Sequence, residues 1–253
     1  MFNNIGRSVN PFNINFLKND WVILVSCVQF RPTFFKNIFD MEKEKFHLII
    51  DMGHGSNTPG KCAPDKSFYE WKFSRKVGKE VGARLAKMGY NVHYTWLDDR
   101  EPIYPADMML RKSQLNRALM WRVERVNELC AKYGTKNCAS VSIHANASGD
   151  VWDEASGYCV MVGKHASGKS KRFAQLVYDE AYKRGLKGNR CVPDEHYWVQ
   201  GLAMCDRTNC PAILTENMFY SNKKDLEFLK SEEGVEQIIQ LHIDAIVKYV
   251  QQL

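Results

Sequence analysis

The chain has 253 residues, 45% of them hydrophobic and 25% charged, which is the balance of an ordinary globular protein. That excludes a chain that is disordered, collagenous or membrane-embedded throughout, and it leaves enough apolar material for a sizeable core. Lys and Arg exceed Asp and Glu by 35 − 29 = 6; this mild, dispersed excess suits an acidic polymer, and no nucleic-acid partner is expected.

Residues 1 to 40, rich in Asn and Phe and interrupted by Pro11 and Pro32, sustain neither helical nor strand periodicity. They read as an N-terminal extension, either poorly ordered or an upstream-start artefact, with the catalytic-sized domain running from 41 to 253. The longest apolar run, Trp21 to Val28, is far short of the roughly 20 residues that span a bilayer, so no transmembrane segment is expected. Its polar lead and the abutting Asp20 do not fit a signal peptide, which points to synthesis in the cytoplasm. Cysteines at 27, 62, 130, 138, 159, 191, 205 and 210 form no C-x-x-C pair and are expected to be free, mostly buried thiols.

From Phe46 onward strand and helix signals alternate. A strand is predicted at 46 to 51, a helix near 68 to 88, a strand at 91 to 96 and a helix near 107 to 133. Strands at 140 to 144 and 158 to 162 follow, then a helix near 169 to 184, a strand at 212 to 216 and a final helix near 234 to 251. Such alternation, with no internal repeat or low-complexity linker, predicts a single α/β domain: a mostly parallel or mixed twisted sheet with helices on both faces.

Two predicted strands end in histidine-bearing loops, Asp51-Met52-Gly53-His54-Gly55 and Ser142-Ile143-His144-Ala145-Asn146. Ligands of open α/β sheets gather outside the carboxyl ends of the strands, so His54 and His144 can meet on one metal ion; the competing reading is two unrelated surface histidines. Glu70 opens the next helix, on the stripe shared with Val77, Val81 and Met88, and a carboxylate on a core-facing stripe needs a partner. Two His and one Glu is a catalytic zinc set with a fourth position left for water, against the alternative of Glu70 as a surface acid at a helix start. Glu216 ends the apolar strand Ile213-Leu214-Thr215 and is the candidate general base, unless it is spent on a salt bridge.

With those residues in place, the chain resembles the zinc-dependent N-acetylmuramoyl-L-alanine amidases of bacteria and their phages over about residues 46 to 251. The likeness rests on D-x-G-H-G at Asp51 to Gly55, Glu70 at a helix start, S-I-H-A-N-A at Ser142 to Ala147, and L-T-E-N-M-F-Y-S-N at Leu214 to Asn222. The resemblance implies one Zn2+ per chain on His54, Glu70 and His144, with Glu216 catalytic. It further implies peptidoglycan as substrate, cut between N-acetylmuramic acid and L-alanine by an enzyme that reaches the cell wall after release. Arg207 and Asn146 are the residues expected to touch substrate, and Arg122 and Asn127 to brace the zinc strand. The alternatives are another zinc peptidase or amidase of wall peptides, and a non-catalytic wall-binding protein of the same fold. The oligomeric state is open.

Gly55 to Cys62 nearly matches the phosphate loop G-x-x-x-x-G-K-[ST], but Cys62 replaces the magnesium-binding hydroxyl, and Pro64 and Asp65 delay the helix that would receive the phosphate. A nucleotide role is not expected. His93, His165 and His196 lack a strand-end motif, and His242 lies on a stripe with Val235, Ile239, Ile246 and Tyr249 that predicts a packing role. Trp152, Tyr197 and Trp198 could line a sugar-peptide groove or simply pack.

Overall fold

Apolar runs with turn residues at their ends form six strands in the computed structural model, which describes residues 43–105 and 107–253. The expectation for residues 1 to 40 lies outside the described residues. The strands are β1 (His47–Met52), β2 (Asn91–Tyr94), β3 (Cys138–Asn146), β4 (Cys159–Val162), β5 (Trp198–Val199) and β6 (Ala212–Phe219). They form one sheet in the order β2-β1-β3-β6-β4-β5, parallel except where β4 runs against β6. The sheet is therefore of the mixed, mostly parallel kind, and residues 42 to 253 form one compact unit.

Six α-helices accompany the strands among the described residues: α1 (Glu70–Lys87), α2 (Lys112–Tyr133), α3 (Gly168–Lys183), α4 (Ala203–Asp206), α5 (Lys223–Lys230) and α6 (Glu232–Val250). None is long and apolar enough to cross a membrane. Alternation along β1 assigns the helices to two faces. Ile49 joins Val123, Val126 and Leu129 of α2 and Met204 of α4 on one face, while Ile50 and Met52 lie directly beneath Gly78 of α1 on the other. The central strands are buried on both faces, as a covered parallel sheet requires.

Several helix starts carry their own caps. Ser167 accepts from the Ser170 N–H, Asn222 from Lys224 and Asp225, and Ser231 from Gly234. The Ser231 cap starts α6 two residues before the predicted position. The helix predicted from 107 begins at 112, because the preceding turn reaches back to the β1 loop through the Leu110 N–H to the Asn57 carbonyl, 3.0 Å. His242 is fully buried, with Nδ1 donating to the Ile238 carbonyl at 2.7 Å, in keeping with a packing role. The seven described cysteines are all free; Cys130, Cys138, Cys159 and Cys210 are buried, but Cys191 is exposed.

Candidate metal centre

The chain leaves β1 for β2 on one side and returns to β3 on the other, so the carboxyl ends of β1 and β3 flank a topological switch point. His54 follows β1 and His144 lies near the end of β3. His54 adopts φ +58°, a left-handed conformation uncommon outside glycine, and its ring meets that of His144 edge-on, 4.9 Å between centroids. Gly53 makes room for this meeting, since a Cβ there would lie 2.4 Å from the His144 ring.

Glu70 is the first residue of α1 and is buried, whereas Val77 and Val81 continue its stripe into the core; Met88, just past the helix, is 46% exposed and leaves that stripe. Tyr69 at the cap offers no side-chain acceptor, and the Glu70 N–H donates instead to the Lys61 carbonyl at 3.0 Å. The Glu70 carboxylate lies 2.9 Å from His144 Nδ1 through Oε1 and 3.4 Å from His54 Nε2 through Oε2, and Oε1 also accepts the Ala145 N–H at 3.2 Å. One donor atom from each of His54, Glu70 and His144 lies within 4.8 Å of the others.

Glu216 on β6 stands opposite His144 in the β3–β6 register and opposite Cys159 in the β4–β6 register. Its Oε2 is buried with no hydrogen-bond partner among the described residues, so it is not spent on a salt bridge. Beyond Glu216, β6 takes an extra residue relative to β3, with Met218 at φ +61°. Next to this bulge, buried Asn217 donates from Nδ2 to the His144 carbonyl at 2.6 Å.

Burial pushes the Glu216 carboxyl up to about 7, with the neighbouring Glu70 charge adding to the rise. Burial lowers His54 to about 3, keeping its ring neutral. Burial also opposes charge on His144 and on Glu70, but the hydrogen bond and attraction of Glu70 raise the histidine, and attraction to His54 together with the His144 hydrogen bond lowers the carboxylate. The neutral His54 ring and the ionised Glu70 carboxylate are in the forms that ligate a metal, and His144 ligates one by giving up its proton.

A second buried layer braces the centre, and sequence reasoning assigned no role to its key member, Asp51. Its fully buried carboxylate accepts from Thr95 Oγ1 at 2.7 Å, Ser142 Oγ at 2.5 Å and Arg122 Nη1 at 3.0 and 3.1 Å. These bonds tie the end of β1 to β3 two residues before His144. The signal available in sequence was a lone carboxylate closing an otherwise apolar strand.

The other sequence-predicted residues fall in different places. Asn146 stands at the end of β3, where its carbonyl accepts the Tyr220 N–H. Arg207 is not brought to this edge: it precedes the opposite end of β6, its carbonyl accepting from Asn127 Nδ2 at 2.9 Å and its guanidinium against Met120 Sδ. Arg122 contributes to the brace, whereas Asn127 fastens the Arg207 turn. His93 pairs with His47 at 2.9 Å, His196 with Asp179 at 2.9 Å, and His165 lines a separate cavity of about 810 Å³. Lys223 lies over the part-exposed Trp152 ring, Tyr197 is buried, and Arg190 lies over Trp198. The segment that resembles a phosphate loop does not enter a helix: Cys62 bridges Tyr69 in antiparallel fashion.

Fold and site together define an α/β protein with a potential metal centre of two histidines and a glutamate at its switch point. The model of the N-acetylmuramoyl-L-alanine amidase family matches residues 48–248, and the chain belongs to that family. It is 24% identical over 200 residues to an endolysin of Bacillus phage SPP1, a match covering 79% of this chain and 64% of the endolysin, just under two thirds of its length. The CwlD amidase of Clostridioides difficile, solved in complex with the GerS lipoprotein, shares the fold at a TM-score of 0.69 and 24% identity, over 82% of this chain and all of that one. The catalytic domain of CwlV, an N-acetylmuramoyl-L-alanine amidase from Bacillus (Paenibacillus) polymyxa var. colistinus, matches at a TM-score of 0.62 and 25% identity, over 81% and 97% of the two chains.

Proposed function

We propose that the chain is a zinc-dependent amidase that hydrolyses the bond between N-acetylmuramic acid and L-alanine in peptidoglycan, with residues 41 to 253 as its catalytic domain and the cell wall as its place of action. The observation that carries this reading is the convergence of His54, Glu70 and His144 with the unpartnered buried carboxylate of Glu216 beside them. The set fits zinc: the nitrogen and oxygen donors are of the right kind, and the 3.4 Å between His54 Nε2 and Glu70 Oε2 is about the edge of a tetrahedron with bonds of roughly 2.1 Å. Zinc bound there, one per chain, would supply Lewis acidity that activates water near neutral pH and polarises a carbonyl.

The protein residues carry the proton. Glu216 takes the proton of the attacking water on its carboxylate and delivers it to the departing alanine nitrogen, a role that suits a carboxyl held near neutrality. Asn217 and the Asp51 brace hold the His144 strand, fixing the distance between the metal ligands and Glu216. No nucleophilic side chain is required. Of the two residues expected to touch substrate, Asn146 is the one at this edge.

Mass spectrometry of digested sacculi tests the reading. Free stem peptides beginning with L-alanine, lost on chelation and restored by zinc, are the expected result. Other fragments would identify a different scissile bond, and intact glycopeptide would mean a binding protein; either outcome refutes the proposal.

A further inference from the structure

Lys61 is anchored beside the metal centre through its backbone. Its carbonyl accepts the N–H of Glu70, and the next residue, Cys62, bridges Tyr69. The Lys61 charge is close enough to act on His54, Glu70 and Glu216 alike. The residue is half-buried, and among the described residues its ammonium makes neither an ion pair nor a hydrogen bond. Neighbouring cations are already committed. Arg122 is held by Asp51 and Glu101, and Arg75 donates to the carbonyls of Met52 and Asp98 at 2.8 Å each. Arg207, the cation expected from sequence to hold a substrate carboxylate, is at the other end of β6.

We propose that Lys61 binds a carboxylate of the substrate on the peptide side of the scissile amide. This deepens the amidase reading and rests on it. The chemistry of the substrate selects the side. The acyl half of the bond is a lactyl ether on an N-acetylated sugar and is uncharged, whereas the stem peptide carries carboxylates, the nearest of them on its second residue. A compact, strongly hydrated ammonium on a flexible stem suits a monodentate contact of this kind and keeps its charge in water until substrate arrives. The lysine of the phosphate-loop-like segment thus serves an anion, but one carried by a peptide.

The test compares two soluble muropeptides that differ only in whether the second peptide residue has a free α-carboxylate or an α-carboxamide. The full chain, Lys61→Met and Lys61→Arg are assayed for kcat/KM on both, and zinc content is measured for each. A charge-assisted contact at a half-exposed site is expected to be worth about tenfold. Lys61→Met should lose that factor on the free acid, chiefly through KM, and change little on the amide; Lys61→Arg should retain most of it, and all three proteins should hold the same zinc. Equal losses on both substrates, no loss on either, or loss of zinc would each overturn the role of Lys61 while leaving the amidase reading intact. If the unaltered chain cleaves neither muropeptide, the amidase reading itself fails.

Discussion

Replacing Arg122 by Met removes the cation from a site where two carboxylates are buried with it. Arg122 Nη1 lies 3.0 and 3.1 Å from the two oxygens of Asp51, which is fully buried, and Nε lies 3.7 Å from the largely buried Glu101. Water cannot reach Asp51 to compensate, and the hydroxyls of Thr95 and Ser142 already donate to it. Against its burial, the Arg122 charge, aided by the hydrogen bonds from Ser142 and Thr95, holds Asp51 below the usual carboxylate range. Breaking such a pair from one side is expected to destabilise the fold by about 3 to 5 kcal/mol. Removing the Asp51 charge as well, in Asp51→Asn/Arg122→Met, should return about 1 to 3 kcal/mol, because the neutral amide no longer needs the cation. Urea unfolding of the four proteins of this cycle, all stripped of metal, measures both quantities. The reasoning is refuted if Arg122→Met costs less than about 1 kcal/mol or if the two changes are additive.

Glu216→Gln should keep zinc and the fold but lower turnover by about 10² to 10⁴, read by steady-state wall lysis beside elemental analysis; loss of zinc would make Glu216 a ligand instead. Gly53→Ala places a methyl 2.4 Å from the His144 ring and should weaken zinc binding by about tenfold or more in a chelator competition, and unchanged affinity would show that the ring has room to move. Glu180 is buried among Lys183, Arg184 and Lys248, whose hydrogen bonds overcome the opposing effect of burial and lower its carboxyl from 4.5 to about 2. At 1.36 kcal/mol per pH unit that is about 3 kcal/mol, reduced to about 2 by screening at the part-exposed lysines. Because the folded value is depressed, this stability is present above about pH 4.5 and lost as pH falls toward 2. Glu180→Gln should therefore destabilise by about 2 kcal/mol at pH 7 and less than half as much at pH 3; an equal effect at both pH values would rule the linkage out.

The sequence by itself determined the strand and helix alternation and the four polar residues at element ends, because these are local properties. A strand covered on both faces reads as an apolar run whatever its neighbours are, and a His or Glu at its end is displaced from that run in plain sight. Positions 54, 70, 144 and 216 were legible for this reason, as was the packing stripe of His242. Only the tertiary structure decided what those residues meet. Strand order put β1 beside β3 and β3 beside β6, and register set Glu216 against His144. The Asp51–Arg122 pair joins residues 71 apart, and the bulge beside Asn217 exists only relative to β3. The same topology left the Arg207 backbone beyond the opposite end of β6 and kept Lys61 against Glu70. Hydrophobic period fixes which face of an element is buried, but it carries no information about which buried faces pair. That choice is made by packing and by the need of each buried charge for an opposite one, and both are properties of the folded chain as a whole.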